Sequence, residues 1–262
     1  IEILFRVYGL PQITTAQVED FAGLMRRLWR GETILGHDGP AGRFPVLRLD
    51  PDFDEAIPLL WTALGPRSLA LGGRVFDAVV LHTFFSDETL ARCVAAVKRA
   101  AEEAGRDPAS VRVWSCFATV GDHLDPALRL KKTVGRLATY LQGYGDLLVK
   151  TNRWDPAVLA RFRADPFVAS FRSAFDDKAT TEQLERVAEL LPGEWLAAAA
   201  TGSPAQCAQK ILGQFDCGAD AVILHGASPR ELAPVVEAYR AIRPAGRFDR
   251  LPANPAGPRL AR

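Results

Sequence analysis

Apolar residues follow two rhythms along this chain. Four runs lack polar alternation: "IPLLWTAL" (57–64), "FDAVVLHTF" (76–84), "VRVWSCFATV" (111–120) and "DAVILHG" (220–226). Runs of that length and β-branched content predict strands buried on both faces. "IEILFRVYG" at the start reads as a further strand, and "RFPVLRL" (43–49) as a short one inside a Gly- and Pro-rich stretch, 32–52. Between the runs the spacing becomes helical. Thr14 and Gln17 form a capping box ahead of Val18, Phe21, Leu24, Met25 and Leu28, which share one helical face, and Gly31 closes that helix. Gly65-Pro66 ends the 57–64 run and opens a short helix over 67–72. Ser86, with Asp87 and Glu88 in the first turn, opens a long helix that Gly105 stops. Ser203-Pro204 and Ser228-Pro229 start two more, the last running to about Ile242. Residues 126–200 read as helical without a strand, and 244–262 as a flexible tail without periodicity.

Buried strands, each followed by a helix, predict a parallel sheet covered on both sides. One phrase occurs twice, "FDAVVLH" at 76–82 and "ADAVILHG" at 219–226. In a (β/α)₈ barrel alternate strands feed the same interior layer, so two such strands meet similar packing demands. Asp before the run and His at its end would then sit at equivalent rims. The competing reading is that the match only reflects what buried strands look like.

Composition narrows the classes. With 32 basic and 31 acidic residues, the chain lacks the one-signed field that a nucleic-acid binder needs. No run of 18 apolar residues occurs, so no membrane span is expected, and a cytoplasmic protein fits best. Cys93, Cys116, Cys207 and Cys217 lie in apolar segments and read as buried reduced thiols. His37, His82, His123 and His225 lack ligand spacing, so no metal site is expected. The signatures of serine hydrolases, P-loop proteins and dinucleotide-binding folds are absent.

"DFAGLMRRLWRGETILGHDGPAGRF", "IPLLWTALGPRSLALGGRVFDAVVLH", "AAEEAGRDPASVRVW" and "GSPAQCAQKILGQFDCGADAVILHG" together make the chain resemble the bacterial luciferase-like monooxygenase family, over roughly residues 8–243. The nearest branch is its deazaflavin-dependent oxidoreductases, which use coenzyme F420. The resemblance implies an α/β (β/α)₈ TIM barrel over 1–243, with a helical insertion after the seventh strand at about 126–200. In that register the strands at 57–64, 76–83, 111–120 and 220–225 are the fifth to eighth, and residues 1–7 belong to the fourth. About three βα units expected of the family would then lie outside this sequence.

The family likeness implies a cofactor site at the strand ends. Ala63, Leu64, Gly65 and Pro66 match the turn that lies against the flavin or deazaflavin; the glycine admits a close backbone, and the helix start suits phosphate. His82 and Thr83 match the position that meets the ribityl-phosphate, where a neutral or charged imidazole and a hydroxyl can both donate to phosphate oxygens. His225 and Gly226 stand at the matching point of the last strand. Thr201–Ile211 is a second helix start able to meet phosphate, with an ordinary cap as the competing reading. In the insertion, Tyr140, Tyr144, Trp154 and Trp195 are candidates to wall an apolar substrate pocket, with helix packing the alternative for at least two of them. No catalytic residue is assigned.

The implied function is an oxidoreductase using coenzyme F420 for hydride transfer to or from a small organic substrate. The alternatives are an FMN-dependent monooxygenase and a non-catalytic or degenerate paralogue. An aldolase- or isomerase-like phosphate-binding barrel is weaker, because the strands offer no catalytic Lys or acidic pair. No nucleic-acid or membrane partner is expected, and a homodimer is allowed.

Overall fold

The computed structural model describes residues 8–249 and 251–257, so the strand expected over 1–7 lies outside the described residues. The chain divides into two compact units. One comprises the residues up to Val80, Ala95–Arg112 and the segment from Gly246; the other comprises Leu81–Val94 and Val113–Ala245.

In the first unit the helix α1 (Thr15–Trp29) starts on the expected capping box, the Thr14 N–H donating to Gln17 Oε1 at 2.8 Å. Its face differs from expectation. Ala22 and Val18 pack with Leu71, Phe76, Leu59 and Trp61, whereas Phe21 is 58% exposed. The Gly/Pro-rich stretch holds two strands, β1 (Ile34–Gly39) and β2 (Gly42–Leu47), paired antiparallel with Ile34 opposite Leu47. Asp20 of α1 accepts the Ala41 N–H at 2.9 Å and lies 3.0 Å from His37 Nε2, tying the hairpin tip to the helix.

Strand β3 (Leu60–Ala63) leads into α2 (Pro66–Val75), longer than the six residues expected, and then β4 (Ala78–Leu81). Burial on both faces along β3 is not observed: Leu60 is exposed, while Ala63 is buried. Gly73 of α2 packs where a Cβ would meet the Val97 backbone carbonyl of α3 (Asp87–Glu103). The periodicity-free segment after 244 forms no helix or strand among the described residues, but Asn254 Nδ2 donates to the Ala56 carbonyl at 2.6 Å.

The second unit is built on β5 (Arg112–Gly121), which is parallel to β7 (Ala221–His225), with Trp114 opposite Ala221 and Ala118 opposite His225. A short strand not expected from the sequence, β6 (Ala200–Gly202), extends the ladder beside Thr119–Gly121. Phe117, Val222 and Leu224 pack against Cys207, Ile211, Val235 and Tyr239 of α11 (Pro204–Asp216) and α12 (Pro229–Ile242). By the two-residue period, Trp114, Cys116, Ala118, Ile223 and His225 face the other way.

The insertion is helical as expected, from α4 (Pro126–Leu130) through a π-helical turn at Lys131–Gly135 into α5 (Arg136–Asn152). It continues through α6 (Pro156–Ala164), α7 (Pro166–Ser170), α8 (Phe175–Lys178), α9 (Thr181–Ala188) and α10 (Gly193–Ala197). The dipeptide Asp-Pro punctuates it. Asp125, Asp155 and Asp165 each cap a helix whose first residue is proline, combining a side-chain acceptor with a preset φ.

The repeated phrase has a local explanation. The Asp77 N–H donates to the Leu59 carbonyl at 2.9 Å, while the Leu59 N–H donates to Asp77 Oδ2 at 2.7 Å. Asp220 does the same with Val113, at 2.8 and 2.9 Å. Each Asp stands before its strand and ties its own backbone and carboxylate to one residue just ahead of, or at the start of, an earlier strand.

Candidate functional site

Beyond Leu81 the chain runs His82-Thr83-Phe84-Phe85-Ser86 into α3, and this loop is held in an uncommon shape. Phe84 sits at φ 60°, the left-handed region that bulky side chains avoid, and is fully buried. Asn152, at the end of α5, holds it there: Nδ2 donates to the Phe84 carbonyl and Oδ1 accepts the Ser86 N–H, both at 3.0 Å. Strain of this kind persists only where the surroundings enforce it.

His82 has both ring nitrogens engaged. Nδ1 lies 2.7 Å from the Thr83 carbonyl oxygen and Nε2 lies 2.8 Å from the Tyr144 hydroxyl. A carbonyl only accepts, so Nδ1 carries the proton. Burial pushes the imidazole down to about 4, against a smaller opposing effect of the Thr83 bond and with the His225 ring adding to the depression. The ring is therefore neutral at pH 7, and Nε2 accepts the Tyr144 proton. A neutral ring donates through one N–H only, and here the Thr83 carbonyl takes it.

Tyr140 and Tyr144 box the imidazole edge-on, at 4.9 and 5.2 Å between ring centroids. Their four-residue spacing places them, with Arg136, along one face of α5. Tyr144 itself is non-helical, φ −154° and ψ 34°, between Gly143 and Gly145, so the helix kinks at the residue that reaches His82. Burial raises its phenol well above the ordinary range, and nearby Tyr140 raises it further. Arg136 Nε pairs with Asp176 Oδ2 at 2.7 Å. Thr83 is buried and its hydroxyl points at Cys116 Sγ, 3.4 Å away.

His225 ends β7 on the face opposite the α11 and α12 helices, and Gly226 follows at φ 101°, a conformation that favours glycine. Among the described residues its buried Nδ1 has no hydrogen-bond partner, and neither has the Trp114 indole N–H on the same face. Burial, then Arg136 and Lys132, hold the His225 imidazole below its usual range.

The other sequence candidates lie elsewhere. Trp154 and Trp195 stack on each other at 4.5 Å, with Trp195 buried, and neither is among the rings around His82. At Ser203 the helix donors are satisfied internally, since Gln206 N–H donates to Ser203 Oγ and Ser203 N–H to Gln206 Oε1. In the first unit Ala63 is buried, and Gly65 caps α2 without a side-chain hydrogen bond, leaving that helix start open to a ligand. The four thiols are free, and burial pushes Cys93 and Cys207 up to about 11. Asn152, the turn at Phe84 and the Arg136–Asp176 pair were not legible in the sequence. Only the Gly-Tyr-Gly triplet, odd inside a helix, pointed to the kink.

No described helix is long and apolar enough to cross a membrane. No curated protein sequence matches the chain. Among solved structures it is similar to a coenzyme F420-dependent tetrahydromethanopterin reductase from Methanopyrus kandleri, with 15% identity and a TM-score of 0.67, over 91% of this chain and 70% of that one. It is similar to an F420-dependent secondary alcohol dehydrogenase in complex with an F420–acetone adduct, with 16% identity and a TM-score of 0.58, over 92% of this chain and 66% of that one. A long-chain alkane monooxygenase follows at 14% identity and TM-score 0.55, over 91% of this chain and 58% of its own length. The chain thus spans between 58% and 70% of the length of these three structures. They show the fold, parallel strands alternating with helices in the TIM-barrel manner. The model of the luciferase-like monooxygenases matches residues 6–221, and the chain belongs to that family.

Proposed function

We propose that the chain serves a cofactor-dependent oxidoreductase in which a deazaflavin of the F420 type exchanges a hydride with a small organic substrate. The observation that carries this reading is the strand-end cluster of His82, Tyr140, Tyr144 and His225, in which aromatic surface surrounds a few fixed polar groups. Such a composition suits a ligand that is mostly apolar and must be oriented. The unpartnered His225 Nδ1 and Trp114 N–H fit a group rich in hydrogen-bonding atoms, as the deazaflavin is.

Under this reading the bound deazaflavin supplies a carbon that takes or gives a hydride, and the protein supplies orientation and water exclusion. Gly226 lets the backbone after β7 turn without a Cβ, while His225 offers its ring to the ligand. Tyr140 and Tyr144 give the wall, and His82 fixes the Tyr144 hydroxyl. Similarity to both F420- and flavin-dependent enzymes supports FMN and monooxygenation as the second reading.

Fluorescence titration of the chain with F420 and with FMN tests the proposal. Saturable binding of F420 at micromolar concentration, tighter than FMN, is expected. Tighter FMN binding moves the reading to the flavin, and binding of neither overturns both.

A further inference from the structure

The hydrogen-bond polarity around Tyr144 can be read atom by atom. The Thr83 carbonyl obliges His82 to carry its proton on Nδ1, at 2.7 Å. The neutral ring then has only a lone pair at Nε2, and the one proton between Nε2 and Tyr144 Oη, 2.8 Å apart, belongs to the tyrosine. The phenolic proton is thereby committed, and Tyr144 presents only lone pairs in any other direction. No other hydrogen bond to its oxygen is recorded among the described residues. The ring is half-buried, on a helix bent at that residue, with Tyr140 5.5 Å away completing an apolar wall.

We propose that Tyr144 is a specificity-determining residue whose oxygen acts as an acceptor-only point, so that the site takes an apolar alcohol in preference to the ketone of the same skeleton. The inference rests on the oxidoreductase reading for its biological sense, but not for its chemistry. An alcohol O–H donates to Tyr144 Oη with nothing else changed. A ketone oxygen brings lone pairs to lone pairs. Tyr144 can turn its proton to the ketone in two ways: by leaving the buried His82 Nε2 lone pair without a donor, or after His82 moves its own proton to Nε2. The second leaves the Nδ1 lone pair against the Thr83 carbonyl at hydrogen-bond distance. The loop cannot easily relax, because Asn152 holds Phe84 and Ser86 on its far side. Thr83 therefore sets the polarity at one end of a chain of three groups, and the ligand meets it at the other. A site so wired discriminates by the mispaired group and not by size.

The test uses cyclohexanol and cyclohexanone as probes without any cofactor, with binding followed by ligand-detected NMR. Cyclohexanol is expected to bind about tenfold tighter, about 1.4 kcal/mol, and Tyr144→Phe to bring the two affinities within about twofold of each other. Equal affinities in the unaltered protein, no binding of either probe, or a preference that survives Tyr144→Phe each overturn the proposal. Should Tyr144→Phe fail to fold, a long-range ¹H–¹⁵N spectrum of the unaltered protein decides: His82 is expected protonated at Nδ1 near pH 7, and protonation at Nε2 overturns it. The F420 and FMN titrations are independent of these probes, so failure of the cofactor reading remains distinguishable from failure of this one.

Discussion

Asp77 and Leu59 close a ring of two hydrogen bonds, in which each residue's N–H is accepted by an oxygen of the other, at 2.9 and 2.7 Å. The Asp77 carboxylate is buried and takes a third bond from Arg26 at 2.9 Å. Asp77→Ala leaves the Leu59 N–H without its acceptor and the guanidinium without its anion. Urea denaturation should show a loss of about 1–3 kcal/mol for Asp77→Ala. An unchanged midpoint would mean that the ring of hydrogen bonds contributes nothing.

Gly23 of α1 and Gly73 of α2 should respond oppositely to a methyl group. Nothing lies within 4 Å of a Cβ built on Gly23, so Gly23→Ala should stabilise by about 0.5–1 kcal/mol through helix propensity. A Cβ on Gly73 collides with the Val97 carbonyl and lies 2.8 Å from the Ala100 methyl, so Gly73→Ala should destabilise by about 1–3 kcal/mol. Thermal melts of the two variants check the signs.

The imidazole of His82 is held at about 4, below its ordinary 6.5, chiefly by burial. The groups facing it are His225 on β7 and Tyr140 and Tyr144 on α5, while Thr83 bridges to Cys116 on β5. The unfolded chain takes a proton that native His82 refuses, so stability is complete above 6.5 and is lost as pH falls from 6.5 toward about 4. NMR titration of the His82 Cε1 proton should give a midpoint near 4. A midpoint near 6.5 would contradict the buried, neutral ring.

Gly65→Asp places a carboxylate at the open start of α2. Under the cofactor reading, affinity for F420 should fall more than tenfold, about 1.4 kcal/mol, in a variant whose melting is unchanged. Unaltered affinity would remove this turn from the site.

The strands at 76–84, 111–120 and 220–226, the helical character of 126–200 and the helices that start at Ser86, Ser203 and Ser228 were legible, because long apolar runs and Ser-Pro starts act locally. So was the family, from segments spread along the chain. The hairpin over 34–47 was half seen, since its first strand carries His37, Asp38 and two glycines in place of a β-rich run. The charge state of His82 was not legible: whether a ring is protonated depends on what buries it, and Tyr144 lies 62 residues away. Asn152 gave no signal, being an ordinary polar residue at a helix end until Phe84 is known to be left-handed.

One helix, α5, thus reaches the His82–Ser86 loop twice, through the Tyr144 hydroxyl and through the Asn152 amide, with the kink next to the first. The effects of changing the two residues will not add. Asn152→Ala should cost about 1–3 kcal/mol by itself. In a double-mutant cycle with Tyr144→Phe, the pair should cost measurably less than the sum, because whichever contact goes first frees the loop that the other was holding. Natural variation at these two positions is then constrained jointly: residue 144 can drift only as far as residue 152 keeps the loop in place.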